Sequence, residues 1–580
     1  MLTVCENPLK FYSIVTPDNA NPAELHAAEL LQGFLAKVLP EGPAPDGKHF
    51  IYVGGFGKCT DGIKYDGFRT LTDDKDVWLF GAMPRGTLYA VCNFAEKYLG
   101  YKRYTPFLDD VDPNAPGIGT NVDVIDNPVF ELRRNDWVAN TTDPDYAIWA
   151  RINADFGDPK YGGRIESIGG CHTFESLCPP KQYFAEHPEY YSFYNGRRIP
   201  AGNTFDSEEN AQLCLTNPDV VKIVTNNILE RLRKKPDARI VELSQNDNNR
   251  YCQCPACAAI DKEEGSPSGT LLRFVNKVAE EVEKEFPDVL VQTFAYQYTR
   301  KPPRITKPRK NVMIRYCTIE ACFSHPLADP NCAENAGTFI AELTEWGKLC
   351  DKISVWDYVT NYACYLAPFP NLCVIHKNLK TFADCNAKHI FEEDTPGTYT
   401  GELSDLRAYL MSKMMWNPYI SDEEEVALRE DFMRHFFGPG WENIWEYNLL
   451  MEKYTTHHHM HCFERPDQCL GTDPEMEAFV PRPYDKIFEE SYLSRVIPHL
   501  SELAVYWDKT AAAAEDQPTR DRIARCRMGL DYLELFCSGK RREDMTDAQH
   551  VNYVRACGQY LGRKQKFNLQ YNIWTQRAGH

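Results

Sequence analysis

The stretch IVELSQNDNNRYCQCPAC, from Ile240 to Cys257, begins as a buried strand, continues into polar residues and ends with three cysteines spaced C-x-C-x-x-C. A short apolar run that stops in polar side chains is typical of a strand in a parallel sheet, whose carboxyl end meets solvent. Three interpretations of the stretch are open: a metal site, a disulfide loop, or the rim of an active site to which the strand delivers a carboxylate.

The same alternation of strand-like and helical runs extends from about residue 128 to residue 418. Helices are predicted between several of the strands, for example over PDVVKIVTNNILERLRKK. The eight predicted strands are ELRRNDWV, a run near CHTF, QLCLTN, IVELSQN, VLVQTFAY, VMIRYCTI, ISVWDYV and HIFEED. Eight such units predict an α/β fold of the (β/α)8 TIM barrel type, in which chemistry takes place at the carboxyl ends of the strands.

Two further regions flank the predicted barrel, as expected for 580 residues, which exceed a single hydrophobic core. Residues 1–115 alternate strands and helices and predict a small α/β domain, which ends in the linker-like DDVDPNAPGIGT. The barrel is placed at residues 125–420. Residues 421–580 contain long amphipathic runs that follow an S-x-x-E capping box at Ser421 and Glu424, and they predict an α-helical C-terminal domain.

The composition bounds the partners and the location of the protein. The net charge is −19, from 64 basic and 83 acidic side chains, which argues against nucleic acid or an anionic membrane as partner. No stretch approaches the roughly 18 apolar residues of a membrane span. The segment MLTVCENPLKFYSIV lacks the features of a signal peptide, and the 21 cysteines are scattered. We therefore expect a cytoplasmic protein with reduced thiols, or a secreted or periplasmic one if a signal peptide has been removed; a homo-oligomer is left open.

Carboxylates stand at four of the predicted strand ends, where they suit acid and base work on a glycosidic bond. The alternative is that each caps a helix or pairs with an arginine. The sequence contains no G-x-S-x-G elbow, Walker loop or H-E-x-x-H helix, which removes the commonest other hydrolase and nucleotide-binding interpretations. The strand-end carboxylates are Asp247 after IVELSQN, Glu320 after VMIRYCTI, Asp357 in VWDY, and Glu392 with Glu393 in IFEED.

Aromatic and polar side chains beside these carboxylates are candidates for substrate binding. Trp356, Tyr296 and Tyr358 suit stacking on sugar rings, although aromatics are also ordinary core material. The two strand-end histidines either bond sugar hydroxyls or are satisfied by backbone groups. The predicted substrate-binding residues are His172, Asn246, Tyr296, His325, Trp356, Asp357, Asn361 and Glu392.

The cysteine triplet Cys252, Cys254 and Cys257 offers three thiols where tetrahedral zinc usually takes four ligands. Structural zinc, a local disulfide and free thiols that shape a loop are all open, and neither a metal ion nor a cofactor is predicted. The HHHMHC run from His457 to Cys462 lies outside the predicted barrel, where we expect a solvated helical face.

Six separated motifs resemble the domain-of-unknown-function 4838 proteins, part of which is classed as glycoside hydrolase family 163. The resemblance covers roughly residues 125 to 450. The segment RGTLYAVCNFAEKYLGYKRYTP resembles the α/β domain that precedes the barrel in family 20 hexosaminidases and family 67 α-glucuronidases. The six motifs are LSQNDNNRYCQCPAC, AYQYTRKPP, HPEYYSFYNGRR, CLTNPDV, VWDYVTNYACYLAPFPNL and ELSDLRAYLMSKMMWNP.

The resemblance implies a retaining β-N-acetylglucosaminidase acting on N-glycans or related oligosaccharides, endo or exo, in which the 2-acetamido oxygen of the substrate is the nucleophile. Within that scheme, strand-end reasoning gives Glu320 the role of general acid/base and Asp247 that of orienting the acetamide. The cysteine stretch then becomes an active-site rim. The alternatives are an inverting, α-glucuronidase-like hydrolase that uses Asp357 and Glu392, and a non-catalytic carbohydrate-binding barrel.

Overall fold

The structure is a computed structural model that describes residues 2–203, 208–362, 365–395, 399, 401–464 and 491–538. Within these residues the strands are β1 (Thr3–Val4), β2 (Asn7–Pro8), β3 (Tyr12–Val15), β4 (His49–Val53), β5 (Phe68–Thr72), β6 (Val77–Gly81), β7 (Tyr101–Thr105), β8 (Leu108–Val111), β9 (Asp123–Asp126), β10 (Leu132–Asn135), β11 (Ser167–Ile168), β12 (Phe193–Tyr194), β13 (Arg197–Arg198), β14 (Ile240–Glu242), β15 (Leu290–Ala295), β16 (Val312–Cys317), β17 (Ile353–Tyr358) and β18 (Ala387–Glu393).

The α-helices of the described residues are α1 (Pro22–Val38), α2 (Pro84–Tyr98), α3 (Val138–Thr142), α4 (Pro144–Trp149), α5 (Phe174–Leu177), α6 (Pro180–Tyr183), α7 (Pro218–Lys234), α8 (Pro255–Glu264), α9 (Pro267–Glu285), α10 (Ile340–Leu349), α11 (Leu372–Asp384), α12 (Ser404–Trp416), α13 (Asp422–Phe437), α14 (Trp441–Thr455), α15 (Leu493–Val496), α16 (Leu500–Ala513) and α17 (Gln517–Ser538). None of them is both long enough and apolar enough to cross a membrane.

Seven strands form one parallel sheet in the order β10-β18-β17-β16-β15-β14-β11. The first of these strands along the chain, β10, pairs with the last, β18, as in a closing barrel. However, β10 and β11 are the two ends of the strand order, so the sheet is a curled half-barrel rather than a closed one. The mixed α/β class is confirmed, and a complete eight-stranded TIM barrel is not.

The missing strand is the one predicted at QLCLTN. Among the described residues this segment forms an isolated bridge at Leu213, another lies at the preceding Ala211, and β11 pairs directly with β14. Its Gln212 side chain takes over the pairing, since Nε2 donates to the backbone oxygen of Asn246 (2.8 Å) and Oε1 accepts from the Asn246 N–H (2.8 Å). A side-chain amide thus satisfies backbone groups that a strand would otherwise pair. The run predicted near CHTF corresponds to β11, which ends before Cys171.

Side chains alternate between the two faces of the seven-stranded sheet, and the register assigns them. Asp357 is the register partner of Glu392, so their side chains lie on the same face of the sheet. Trp356 precedes Asp357 in β17, and its side chain lies on the opposite face. Asn135 is also level with Glu392, and its Nδ2 lies 4.0 Å from Sδ of Met411 in α12. We call this side, covered by α12, the helix face. The opposite side, which carries Trp356, is the cleft face.

The N-terminal region forms a second sheet in the order β3-β4-β6-β5-β9, with α1 and α2 beside it. Strand β9 belongs to this sheet and lies beyond residue 115, where the first domain was predicted to end. A buried ion pair joins the two sheets, because Arg133 of β10 donates to both carboxylate oxygens of Asp66 (2.7 and 3.1 Å).

The described part of residues 421–580 is helical. The capping box predicted at Ser421 and Glu424 is present at the start of α13. Residues 465–490 and 539–580 of the predicted α-helical domain lie outside the described residues.

Candidate active site

The cleft face is the open face of the seven-stranded sheet. Its side chains Arg315, Trp356 and Phe391 are half-buried. On the helix face, Asp357 and Glu392 are only 3% and 0% exposed. Since the carboxyl edge of a parallel sheet is where chemistry is sited, a ligand can meet the strand ends only from the cleft face.

Two carboxylates lie at the adjacent carboxyl ends of the paired strands β10 and β18. Asp136 follows β10, and its Oδ1 accepts a hydrogen bond from the Asp394 N–H (2.7 Å). Glu393 ends β18, and its Oε2 accepts from Trp356 Nε1 (2.7 Å). Burial raises the pKa of Asp136 well above its usual value, and the negative charge of Glu393 raises it further. One carboxyl of such a pair keeps its proton while the other is ionised, which is the arrangement that general acid catalysis needs.

A second group lies at the ends of β11, β14 and β15. Tyr296 Oη donates to Asp247 Oδ1 (3.0 Å) and accepts from Gln297 Nε2 (2.9 Å). The rings of His172 and Tyr296 are 6.2 Å apart. Asn203 ties the group together, because it accepts from the Asp247 N–H (3.3 Å) and donates to the His172 backbone oxygen (3.1 Å). The structure therefore brings three of the predicted site residues together.

Arg315 of β16 lies between these two groups. Its guanidinium is 5.8 Å from the Phe294 ring centroid and 5.6 Å from that of Trp356. Arg315 Nη1 lies 3.6 Å from Glu242 Oε1, and Gln292 Nε2 donates to Glu242 Oε2 (2.7 Å). Burial raises the pKa of Glu242, while Arg315 opposes the rise. This ion pair forms the floor between the strand ends.

The thiol of Cys171 follows β11 and lies within the electrostatic field of several of these groups. Desolvation by the surrounding protein raises its pKa although the residue is exposed; Glu242 raises it further, Arg315 opposes the rise, and the charges of Asp247 and Glu393 also raise it. The carboxylates of β14, its following loop and β18 therefore contribute negative charge to the same side of the sheet.

Glu320 follows β16 and is bound by an arginine. Arg300 Nη1 lies 2.6 Å from Glu320 Oε2, and Arg300 Nε lies 2.7 Å from Glu342 Oε2. Burial raises the pKa of Glu320, whereas the charge of Arg300 lowers it. The predicted general acid/base is thus half-buried at a strand end and shares a guanidinium with a second glutamate.

Asp357 and Glu392 lie on the helix face, away from this space. The Thr318 hydroxyl donates to Asp357 Oδ1, and burial raises the pKa of Asp357 to about 6. Burial also raises the pKa of Glu392 well above its usual value, and the Asp357 charge adds to the rise. The pair is enclosed between the sheet and its covering helices.

Three further predicted residues are engaged elsewhere. Asn361 Nδ2 donates to the backbone oxygen of Glu464 (2.7 Å), and His325 Nε2 donates to that of Thr456 (2.8 Å). Asn246 is fully buried, and its Nδ2 donates to a backbone oxygen of the segment before α7 (2.8 Å). These side chains brace loops around the sheet.

Three residues of the site were not among the predictions: Asp136, Glu242 and Arg315. The strand ELRRNDWV was predicted to run to Val138, which placed Asp136 inside a strand instead of at its end. Glu242 and Arg315 lie within strands, and period-two counting back from each strand end is the signal that would have found them.

Residues 112–444 match the family model described as Domain of unknown function (DUF4838). The chain belongs to this family. No match is found among proteins of curated function. Among solved structures, the chain is similar to a GH138 enzyme targeting pectin rhamnogalacturonan II, with a TM-score of 0.46 and 12% identity over 98% of this chain and 74% of that one. It is also similar to CpGH84B, with a TM-score of 0.42 and 13% identity over 98% and 92%. At these values neither match assigns an activity.

The buried pair of this DUF4838 protein gives a pH prediction. For Asp357, a pKa raised from near 3.9 to about 6 corresponds to about 3 kcal/mol of stability, present below pH 4 and lost as the pH rises through 6. Glu392 is buried beside Asp357, and its carboxyl is likewise more stable in the fold when it is protonated. Glutamine at position 392 resembles this protonated carboxyl and stays uncharged at every pH. We therefore expect Glu392→Gln to raise the thermal midpoint at pH 8 and to change it little at pH 4.5.

Thermal melts across pH 4.5 to 8 measure this effect. Glu345→Gln on α10 is the matched control, because Glu345 is exposed, and it is expected to leave the pH dependence unchanged. If the thermal midpoint of Glu392→Gln had the same pH dependence as that of the parent protein, ionisation of the Glu392 carboxyl would not destabilise the fold.

Two groups of side chains in this DUF4838 protein have the composition of metal ligands. A fourth cysteine, Cys214, joins the predicted triplet Cys252, Cys254 and Cys257. The second group takes one residue from the histidine run, which does not form a helical face because α14 ends at Thr455. Its members are Cys322, His325, Cys332 and His459.

Proposed function

We propose that the protein is a glycoside hydrolase in which Asp136 and Glu393 act on the glycosidic oxygen. The observation that carries the proposal is the proximity of the two carboxyls on the cleft face, where burial and the negative charge of Glu393 raise the pKa of Asp136 well above its usual value. A neutral carboxyl beside an ionised one supplies a proton donor and a stabilising charge at the same place.

The chemical step follows from these two protonation states. Asp136 gives its proton to the leaving oxygen as the bond from that oxygen to the anomeric carbon breaks. Glu393, held by the Trp356 N–H, remains ionised and stabilises the positive charge that develops on the sugar. Water then adds hydroxyl to the anomeric carbon and returns a proton to Asp136, so that the protein ends the cycle unchanged.

Trp356 supplies a platform for the sugar ring. The indole is half-buried, its N–H is fixed by Glu393, and the Tyr358 ring lies nearly parallel to it, at 15° and 6.3 Å. A rigid aromatic face beside catalytic carboxyls suits the apolar face of a pyranose.

For the substrate class we propose β-linked N-acetylhexosaminides of N-glycans or related oligosaccharides, with the acetamide oxygen as nucleophile. The acetamide oxygen bonds to the anomeric carbon as the leaving oxygen departs, and the water that adds hydroxyl to this carbon breaks that bond. The support is the resemblance to the family 163 part of the DUF4838 group, together with the Asp247 and Tyr296 pair on the cleft face. A carboxylate holds the acetamide N–H and a phenol is close enough to hold its oxygen. The inverting alternative has less support, because Asp357 and Glu392 lie under α12.

A panel of aryl glycosides tests the proposal. The purified protein is expected to release phenol from aryl β-N-acetylhexosaminides and to be inhibited by an acetamide-derived thiazoline, while the matching aryl β-hexosides with a 2-hydroxyl are poor substrates. Released N-glycans then separate endo from exo action. Turnover of aryl α-glucuronides alone would favour the inverting alternative, and glycan binding without turnover would favour a non-catalytic barrel.

A further inference from the structure

Four thiols meet beside the loop that carries Asp247. Cys214 Sγ lies 3.8 Å from Cys254 Sγ and 4.0 Å from Cys257 Sγ, and together with Cys252 all four sulfur atoms lie within 4.8 Å of one another. Each residue is 6% exposed or less, and none of the four is in a disulfide. We call these four residues the cysteine cluster.

The separations match a tetrahedral metal site. Zinc bound to four thiolates at about 2.3 Å places the sulfur atoms about 3.8 Å apart, far beyond the roughly 2.05 Å of a disulfide. We propose that the cysteine cluster binds one zinc ion. All four ligand positions are filled by buried protein atoms, so the ion is structural and has no open position for substrate or water.

The surroundings of the cluster compensate its charge. Four thiolates on one divalent zinc leave a net charge of about −2, which needs nearby donors. Cys254 precedes α8 and Cys257 lies in its first turn, where the helix N-terminus favours thiolates. The Phe193 N–H donates to Cys252 Sγ (3.3 Å), and Arg198 Nη1 lies 3.9 Å from the same sulfur.

The position of the ion explains how the segment QLCLTN, which was predicted as the third strand, is held in place although it is not part of the sheet. Cys214 belongs to the segment that is absent from the sheet, and the other ligands follow the loop after β14. A shared ion therefore holds that segment against the loop from Glu242 to Cys252. Asp247 lies within this loop, so the zinc fixes the rim of the cleft from behind.

A different observation carries a second zinc site. Cys322 Sγ lies 3.2 Å from His325 Nδ1, and Cys332 Sγ lies 3.7 Å from His459 Nδ1, with all four ligand atoms within 4.8 Å of one another. His325 Nε2 donates to the Thr456 backbone oxygen (2.8 Å), which directs its Nδ1 lone pair into the group. Two thiolates and two imidazoles are a frequent zinc set, so we infer that this histidine–cysteine cluster binds a second ion.

Metal analysis of the full chain, purified without a tag or a metal-affinity step, tests both sites independently of activity. We expect two equivalents of zinc per chain. Cys254→Ser is expected to retain only the zinc of the histidine–cysteine cluster, and His459→Asn only the zinc of the cysteine cluster. The control Cys385→Ser lies outside both clusters and is expected to retain both ions. Replacement by cobalt in the wild-type protein is expected to give thiolate-to-cobalt absorption, which serves if a variant fails to fold.

The results against the proposal are equally distinct. Less than half an equivalent of any metal, or a disulfide among the four cysteines in a non-reduced peptide digest, would overturn the cysteine site. Iron in place of zinc would overturn the identity of the ion. Loss of both equivalents in the Cys385→Ser control would show that the metal is not bound by the clusters. An inactive protein with two zinc ions would refute the proposed function alone.

Discussion

Glu393→Gln is expected to lower kcat/KM for aryl glycosides by about 10²–10³-fold, the usual loss when a group that stabilises developing charge in the transition state is removed. Glutamine keeps the shape of the side chain and the hydrogen bond from Trp356 but removes the charge that stabilises the developing cation. Steady-state kinetics with a poor leaving group measures the loss, because cleavage of the glycosidic bond, in which the positive charge develops, then limits the rate.

The chain provides its own control in the next residue. Glu392 precedes Glu393 in β18 but points to the helix face, so Glu392→Gln is expected to keep kcat/KM close to that of the parent protein. Asp136→Asn is expected to lose activity as Glu393→Gln does. If Glu320→Gln were inactive while Asp136→Asn and Glu393→Gln were not, the proton donor would be Glu320 and the pair would be structural.

The pH profile adds a second readout of the same pair. Asp136 must be protonated to act, so activity falls as the pH rises through its raised pKa. Glu393→Gln removes the neighbouring negative charge, so the pKa of Asp136 falls. The basic limb of the residual activity is therefore expected to move to lower pH. A limb that stays in place would separate Asp136 from Glu393.

Local sequence patterns predicted most strands of the sheet, because a short apolar run with a polar end is specified by neighbouring residues alone. VLVQTFAY, VMIRYCTI and ISVWDYV coincide with β15, β16 and β17 to within two residues at either end. QLCLTN has the same local pattern, yet it is excluded from the sheet. The difference arises from long-range partners, namely the Gln212 amide and the thiols that meet Cys214.

The site was harder to predict than the sheet because it depends on register. Glu392 and Glu393 are adjacent in sequence, and a shift of one residue decides which of them faces the cleft. The sequence locates carboxylates at the strand ends but does not show that Asp357 and Glu392 lie under α12. Local sequence patterns also could not predict that Cys214 joins the cysteine triplet or that His459 joins the second group, because these residues are far from their partners in the chain.

Asp247→Asn is expected to lower kcat by about 10²–10³-fold on β-N-acetylhexosaminides, as the loss of one stabilising group in a transition state does. The acetamide oxygen attacks only when its N–H is held and the positive charge that develops on the amide is stabilised. Asparagine retains a hydrogen-bond acceptor but loses the charge, so kcat falls more than KM rises. Binding of a positively charged thiazoline mimic is expected to weaken more than binding of the product sugar.

Tyr296→Phe separates this role from a purely structural one. The phenol donates to Asp247 Oδ1 in the free protein, so the two substitutions should be non-additive in kcat if both residues serve the same acetamide. Neither substitution should affect the slow turnover of a substrate that has a 2-hydroxyl in place of the acetamide. If Asp247 only braces its loop against Asn203, its replacement would lower the thermal midpoint while kcat of the folded protein stayed near normal. That outcome would remove Asp247 from the acetamide site and leave the Asp136 and Glu393 pair to act on a substrate without an acetamide nucleophile.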